Sequence, residues 1–183
     1  MFAWWAPKLF VYYSEHLVAL FSHHPTLEKK FENSIWPAAT FNLGPQTVCV
    51  KHRDAANLAY GWCAITALGN FNPARGGHLI LWDMKLVVEF PLGATLLIPS
   101  SVVLHSNTKV QDGEERMSFT QYAAGGLFRW VDNNFQTAKM LESVDPEGKK
   151  QADERAVDRW QHGLQLFQTF ESLLARIELS NLN

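Results

Sequence analysis

The chain reads as a mainly β fold with flanking helices (α+β), built on a double-stranded β-helix core of the jelly-roll or cupin kind. Three observations predict this. Short apolar runs of strand length recur between residues 38 and 126, punctuated by Gly, Pro, Asn and Asp. Helical stripes of apolar residues occupy both ends of the chain. With 183 residues, 47% of them hydrophobic, the chain can bury a sizeable core and is too apolar for a disordered segment. The expected organisation is one domain over 1–183: a helical region 1–37, a β core 38–126 and a C-terminal helical region 127–183. Roughly eight short strands then form a double sheet with helices packed outside it.

Pro7 suits the first turn of a helix, and Leu9, Tyr13, Leu17, Leu20 and Phe21 recur at helical spacing, predicting a helix over 7–22. His23-His24-Pro25 ends it, and Thr26 can cap a short second helix through Phe31. Strands follow at 39–43 and 47–50 around Gly44-Pro45, then at 62–68, 78–83, 86–90, 94–98, 102–105 and 116–123. Leu127 to Phe135 reads as a short helix. The charged stretch 139–159 contains Pro146-Glu147-Gly148, a break signal, and separates it from a last helix over about 151–177. That helix carries the stripe Val157, Trp160, Leu164, Phe167, Phe170, Leu174 and Ile177. Most of the seven tryptophans are expected in the core.

A net charge of -2 offers no global attraction to nucleic acid, so any such binding needs a local basic patch. Two cysteines, Cys49 and Cys63, fit a reducing compartment better than a disulfide framework. The N-terminal apolar stretch is interrupted by Lys8, Glu15 and His16 and lacks a cleavage signal, and no run has the length of a membrane span. The expectation is an intracellular monomer that does not engage a membrane.

His52 and Asp54 alternate on an extended segment, so both side chains point the same way. His105 lies 51 positions on, far enough for strands to return beside them, and Arg116 follows eleven residues later across the turn signal Asp112-Gly113. Two histidines and one carboxylate on one face, with open coordination positions, make the facial triad of non-haem Fe(II) oxygenases. No cysteine cluster points to zinc or iron–sulfur chemistry instead. A guanidinium is a planar, bidentate and permanently charged clamp, and Arg116 is placed to hold the distal carboxylate of a 2-oxoglutarate cosubstrate. Ser118, two residues on, shares that side of the strand. His78 begins a strand after Gly76-Gly77 and can reach the cosubstrate if it faces inward. His23 and His24 are expected at the surface; His16 and His162, on helices, are expected to be structural.

Longer phrases carry a resemblance. The run His52-Arg-Asp-Ala-Ala-Asn-Leu-Ala-Tyr-Gly-Trp-Cys-Ala-Ile-Thr-Ala-Leu-Gly-Asn-Phe-Asn-Pro73 is similar to the fungal branch of the TET/JBP-type dioxygenases. So are Gly76-Gly-His-Leu-Ile-Leu-Trp-Asp83, Leu97-Ile-Pro-Ser100, His105-Ser-Asn107 and Arg116-Met-Ser-Phe-Thr-Gln-Tyr-Ala-Ala-Gly-Gly-Leu-Phe-Arg-Trp130. The resemblance covers about 36–135.

It implies a double-stranded β-helix that oxidises a methyl group on a DNA base with Fe(II), 2-oxoglutarate and O₂. The metal triad falls on His52, Asp54 and His105, and the cosubstrate contacts on Arg116 and Ser118. Animal members place an asparagine that contacts the flipped methylcytosine at the position of Asn57, and a tyrosine beside the base at the position of Tyr122. Where they carry a base-contacting histidine, this chain has Ala124. The cysteine-rich zinc region of animal members has no counterpart here, so DNA contacts would fall to loops and flanking helices, with Arg53, Arg75, Lys109 and Arg129 as candidates. The substrate implied is DNA containing methylated bases, 5-methylcytosine first, and the implied location is the nucleus. N6-methyladenine or thymine as target on the same scaffold is the alternative within enzymes. A non-catalytic DNA- or partner-binding β-helix is the alternative of another class.

Overall fold

The computed structural model describes residues 1–180, and the chain divides into two compact units: Lys29–Leu127, and Met1–Glu28 together with the segment from Phe128 onward. The first unit holds seven antiparallel strands among the described residues: β1 (Ala38–Asn42), β2 (Cys63–Asn70), β3 (Leu79–Leu81), β4 (Leu86–Val88), β5 (Thr95–Ile98), β6 (His105–Asn107) and β7 (Glu115–Tyr122). They form a four-stranded sheet in the order β1-β7-β2-β5 and a three-stranded sheet in the order β4-β3-β6. Ile65 and Ala67 of β2, Ile98 of β5, and Leu79 and Leu81 of β3 belong to a single buried cluster. Both sheets therefore cover one core, the double-sheet arrangement of a jelly roll. Period-two alternation sends Cys63, Ile65 and Ala67 inward. Thr66 between them bonds the Thr95 hydroxyl at 2.8 Å.

Two expected strands are displaced, for identifiable reasons. The segment 47–50 makes no ladder, because the Asn107 side chain occupies its backbone: Asn107 Oδ1 accepts from the Cys49 N–H at 2.7 Å and Asn107 Nδ2 donates to the Thr47 carbonyl at 3.1 Å. The strand expected at 102–105 moves to 105–107, because the Val102 and Val103 N–H groups both bond the Pro99 carbonyl, making a turn.

Gly69 faces Arg116 across the β2–β7 ladder at φ +117°, and a Cβ there would sit 2.2 Å from the Glu115 carbonyl oxygen. A backbone atom cannot yield as a flexible side-chain end can. Gly69→Ala is therefore expected to lose more than about 1 kcal/mol of stability, the scale for alanine at positive φ, with the steric overlap added. A thermal melt checks this.

The other unit is helical: α1 (Phe2–Trp5), α2 (Pro7–His23), most of α3 (Gly125–Asp132), α4 (Ala138–Val144), α5 (Pro146–Val157), α6 (Arg159–Gln165) and α7 (Phe170–Ser180). Helix α2 matches the expected span and buries Leu9, Tyr13, Leu17 and Leu20 along one face. Phe128 packs on it, stacked with Tyr12 at 5.4 Å and edge-on to Tyr13. His16 bonds Asp132 at 2.9 Å. Burial of its ring opposes protonation, but that bond and one to the Tyr12 carbonyl outweigh it and raise the pKa. The role is structural, as expected.

Three helical expectations need correction. Residues 26–31 contain no helix. The charged stretch taken as a break is largely helical: Thr137 caps α4, Asp145 caps α5 through the Gly148 N–H, and Pro146 takes the first helical position. The last helix is broken at Asp158 and again between Leu166 and Thr169. Its stripe residues Val157, Trp160, Leu164 and Phe170 are 61–72% exposed rather than buried.

The tryptophan expectation also fails, since none of the seven is buried. Their indole N–H groups find partners nearer the surface: Trp36 donates to the Trp62 carbonyl at 2.7 Å and Trp82 to Ser106 Oγ at 3.0 Å. The β core is filled chiefly by aliphatic side chains and phenylalanine. Among the described residues, no helix is long and apolar enough to cross a membrane.

Candidate metal centre and carboxylate pocket

The two histidines are brought together by backbone. His52 and His105 form an antiparallel bridge, each N–H bonding the other's carbonyl at 3.0 Å. Facing residues of such a pair project to the same side, and the imidazole centroids lie 4.3 Å apart. Each ring is then locked by its own chain: His52 Nδ1 donates to the Val50 carbonyl at 2.7 Å and His105 Nδ1 to the Val103 carbonyl at 2.8 Å. A carbonyl only accepts, so Nδ1 carries the hydrogen and the Nε2 lone pair is directed away from the backbone.

The Asp54 N–H bonds the Ser100 carbonyl at 3.0 Å, which fixes the third residue. Asp54 Oδ1 sits 3.5 Å from His52 Nε2. One donor atom from each of the three residues lies within 4.8 Å of the other two. Two imidazole nitrogens and one carboxylate oxygen suit a divalent first-row metal such as Fe(II) and leave coordination positions for other ligands. The chemistry of the donor set fits the metal the sequence pointed to.

The triad opens on a cavity of about 370 Å³. The inner face of β7 lines it with Arg116, Ser118, Thr120 and Tyr122, consecutive members of one period-two face. Met117 and Phe119 point the other way, where Phe119 meets Phe31 and Phe41. Small partners leave room: Gly69 faces Arg116 and Ala67 faces Ser118 across the ladder.

Arg116 is 2% exposed, yet among the described residues no carboxylate pairs with it. Its hydrogen bond is one from an Nη1 to the Thr47 carbonyl at 3.3 Å, and its Nε is buried without any partner. Desolvation lowers the guanidinium pKa. A buried cation without a counter-ion is costly, and the cavity beside it is where an anionic ligand would remove that cost. Ser118 Oγ, also buried, accepts from Asn42 Nδ2 at 3.0 Å. Its own hydroxyl hydrogen remains to be donated.

The other candidates divide. Tyr122 lines the cavity, with its hydroxyl 3.4 Å from Thr40 Oγ1. Asn57 lines it too, but Asn57 Nδ2 is directed to Ser100 Oγ at 3.1 Å and to Asp54 Oδ2 at 3.4 Å. His78 is not on the lining. Its ring bonds Thr108 Oγ1 at 3.3 Å, while the next residue, Leu79, faces the cavity. Arg53 is absent from the lining as well. It donates through Nε to the Val102 carbonyl at 2.8 Å and pairs with Asp83 at 3.1 Å, and Asp83 in turn accepts from the Leu104 N–H at 2.7 Å. Arg53 thus ties the ligand loop to the turn before His105. Arg75, Lys109 and Arg129 are exposed and outside the cavity. Sequence reasoning missed Asn42, Cys49 and Ser100. Asn42 could have been found from its place on a strand with the alternation of Thr40, whereas Ser100 and Cys49 carry no such signal.

No family model and no curated protein matches the chain. Among solved structures, it is similar to NgTET1 in complex with 5mC DNA at 19% identity and a TM-score of 0.44, covering 58% of this chain and 42% of that one. It is also similar to the viral collagen prolyl hydroxylase of Paramecium bursaria Chlorella virus-1, in its 2OG complex, at 14% identity and a TM-score of 0.33. That match covers 48% of this chain and 62% of the other. The chain therefore spans less than two thirds of either. The overlap is partial at these scores, so function has to be argued from this chain's own side chains.

Proposed function

We propose that this chain is an Fe(II)- and 2-oxoglutarate-dependent dioxygenase that oxidises the methyl group of 5-methylcytosine in DNA. Buried Arg116 carries the reading, because it lacks a counter-ion and opens onto the same cavity as His52, Asp54 and His105. A ligand with a chelating end for the metal and a carboxylate for the guanidinium, as in 2-oxoglutarate, answers both needs. Bound there, Fe(II) would supply O₂ activation coupled to decarboxylation of 2-oxoglutarate.

The chain's own residues do the positioning. The Val50 and Val103 carbonyls hold both imidazoles with Nε2 available. Arg116 forms two parallel hydrogen bonds to the distal carboxylate, and the Ser118 hydroxyl adds a third. A methyl group inside a duplex cannot approach a site within a β-helix, so the target nucleotide is flipped out or already single-stranded. Tyr122 offers the extruded base a stacking face. The Asn57 amide hydrogens are turned to Asp54 and Ser100, so only Oδ1 remains for the base, and it can only accept. That favours a base edge with an exocyclic amine, as in cytosine or adenine, over the O4 edge of thymine.

Incubation with Fe(II), 2-oxoglutarate and oligonucleotides bearing 5-methylcytosine, N6-methyladenine or unmodified thymine, followed by nucleoside mass spectrometry, tests this. The expected product is 5-hydroxymethylcytosine, with formyl and carboxyl forms on longer incubation. Oxidation confined to adenine or thymine would overturn the base assignment. Tight 2-oxoglutarate binding without turnover on any oligonucleotide would overturn the DNA substrate.

A further inference from the structure

We propose that buried Ser100 and half-buried Asn57 form a clamp that positions the Asp54 carboxylate for metal, making both positioning residues of the centre. The inference rests on the metal reading above and adds a role for Ser100, which the sequence placed in a phrase of the resemblance without assigning it one. Ser100 is 1% exposed and holds Asp54 by two routes. Its carbonyl accepts the Asp54 N–H at 3.0 Å, and its Oγ accepts from Asn57 Nδ2 at 3.1 Å. Asn57 Nδ2 also lies 3.4 Å from Asp54 Oδ2, near the outer limit of hydrogen-bonding distance. Since a carboxylate only accepts, the amide must turn its NH₂ toward Asp54, and Asn57 Oδ1 faces away.

The two carboxylate oxygens are thereby distinguished. Oδ1 is the one beside His52 Nε2, and Oδ2 is the one the amide reaches. Donation to Oδ2 restricts rotation about the carboxylate and leaves Oδ1, on the His52 side, as the oxygen that would be offered to a metal. Behind Ser100 stands Cys63 of β2, hydrogen-bonded to the serine and with its thiol pushed up to about 11 by burial. Asn57 is itself pinned by backbone, its N–H bonding the Asp54 carbonyl at 2.9 Å. The clamp runs from buried Ser100 to Asp54 through the half-buried Asn57 amide, held by the hydrogen bonds at both of its ends.

Titration of the metal-free full chain with Co(II), followed by its visible absorption and by calorimetry, reads the clamp without turnover. Partners that orient a metal ligand typically carry a 10–100-fold effect on affinity, so Asn57→Ala is expected to weaken Co(II) binding by about that factor. Ser100→Ala acts through Asn57, so it should weaken binding less. The double variant should then bind no worse than Asn57→Ala alone, a non-additivity expected of groups in one network. A change in the Co(II) absorption envelope should accompany the loss, with circular dichroism unchanged. Unaltered affinity and spectrum in a folded Asn57→Ala protein would overturn the clamp, as would additive losses. If one variant fails to fold, the other still decides, since Ser100→Ala with wild-type affinity also refutes it. Absence of Co(II) binding by the wild type would instead sink the metal reading itself.

Discussion

Arg116→Met should weaken 2-oxoglutarate binding severely while making the ligand-free protein more stable. The guanidinium is almost fully buried, has no carboxylate partner, and leaves Nε unbonded. Replacing a buried charge by an apolar side chain of similar volume is often neutral or stabilising by about 1–4 kcal/mol. The same change removes the clamp for a carboxylate, and losing one partner of a buried charged pair costs about 2–5 kcal/mol. That corresponds to a rise in Kd of roughly 30-fold to several-thousand-fold. Arg116→Ala should lose binding similarly but gain less stability, because it leaves a void. Arg116→Lys should recover part of the affinity, since a point charge replaces a fork. Thermal melts with and without 2-oxoglutarate read both effects. Co(II) affinity should change far less, because Arg116 is not among the metal donors. A ligand-induced shift preserved in Arg116→Met would assign the arginine another purpose.

Asp54→Asn should remove turnover from a protein that still folds. The amide keeps the shape of the side chain but loses the charge that offsets a divalent metal, and one of its two terminal atoms becomes a donor. In the clamp that substitution also sets an NH₂ against either the metal or the Asn57 NH₂, so one orientation loses the ligand and the other the hydrogen bond. The melting midpoint should move by no more than about 4 °C, the scale of 1 kcal/mol for a chain of this size, because Asp54 is partly exposed and carries little packing. Wild-type metal affinity in this variant would place the centre elsewhere.

Sequence alone reached the double-sheet core, the first long helix, and the pairing of Arg116 with Ser118. Each rests on a local rule. Alternation along β7 survives in the fold because a strand with one buried face cannot slip by a single residue without turning every inward side chain out. The triad was likewise legible as residue types in order. Its assembly was not, since the bridge joining His52 to His105 is backbone to backbone across 53 residues and leaves no mark on composition.

Tertiary structure decided what each polar side chain does. Asn57, expected at the substrate, lines the cavity but turns its NH₂ to Asp54 and Ser100, leaving Oδ1 alone for a ligand. Arg53 looked like a grip on DNA and is engaged by Asp83, while His78 sits against Thr108. The strand expected at 47–50 was lost to the Asn107 side chain, a competitor 58 positions from Cys49. Hydropathy and periodicity report which face of an element is buried. They do not report which of several donors reaches a given acceptor, because that depends on distances of a few tenths of an ångström set by packing between segments remote in the chain.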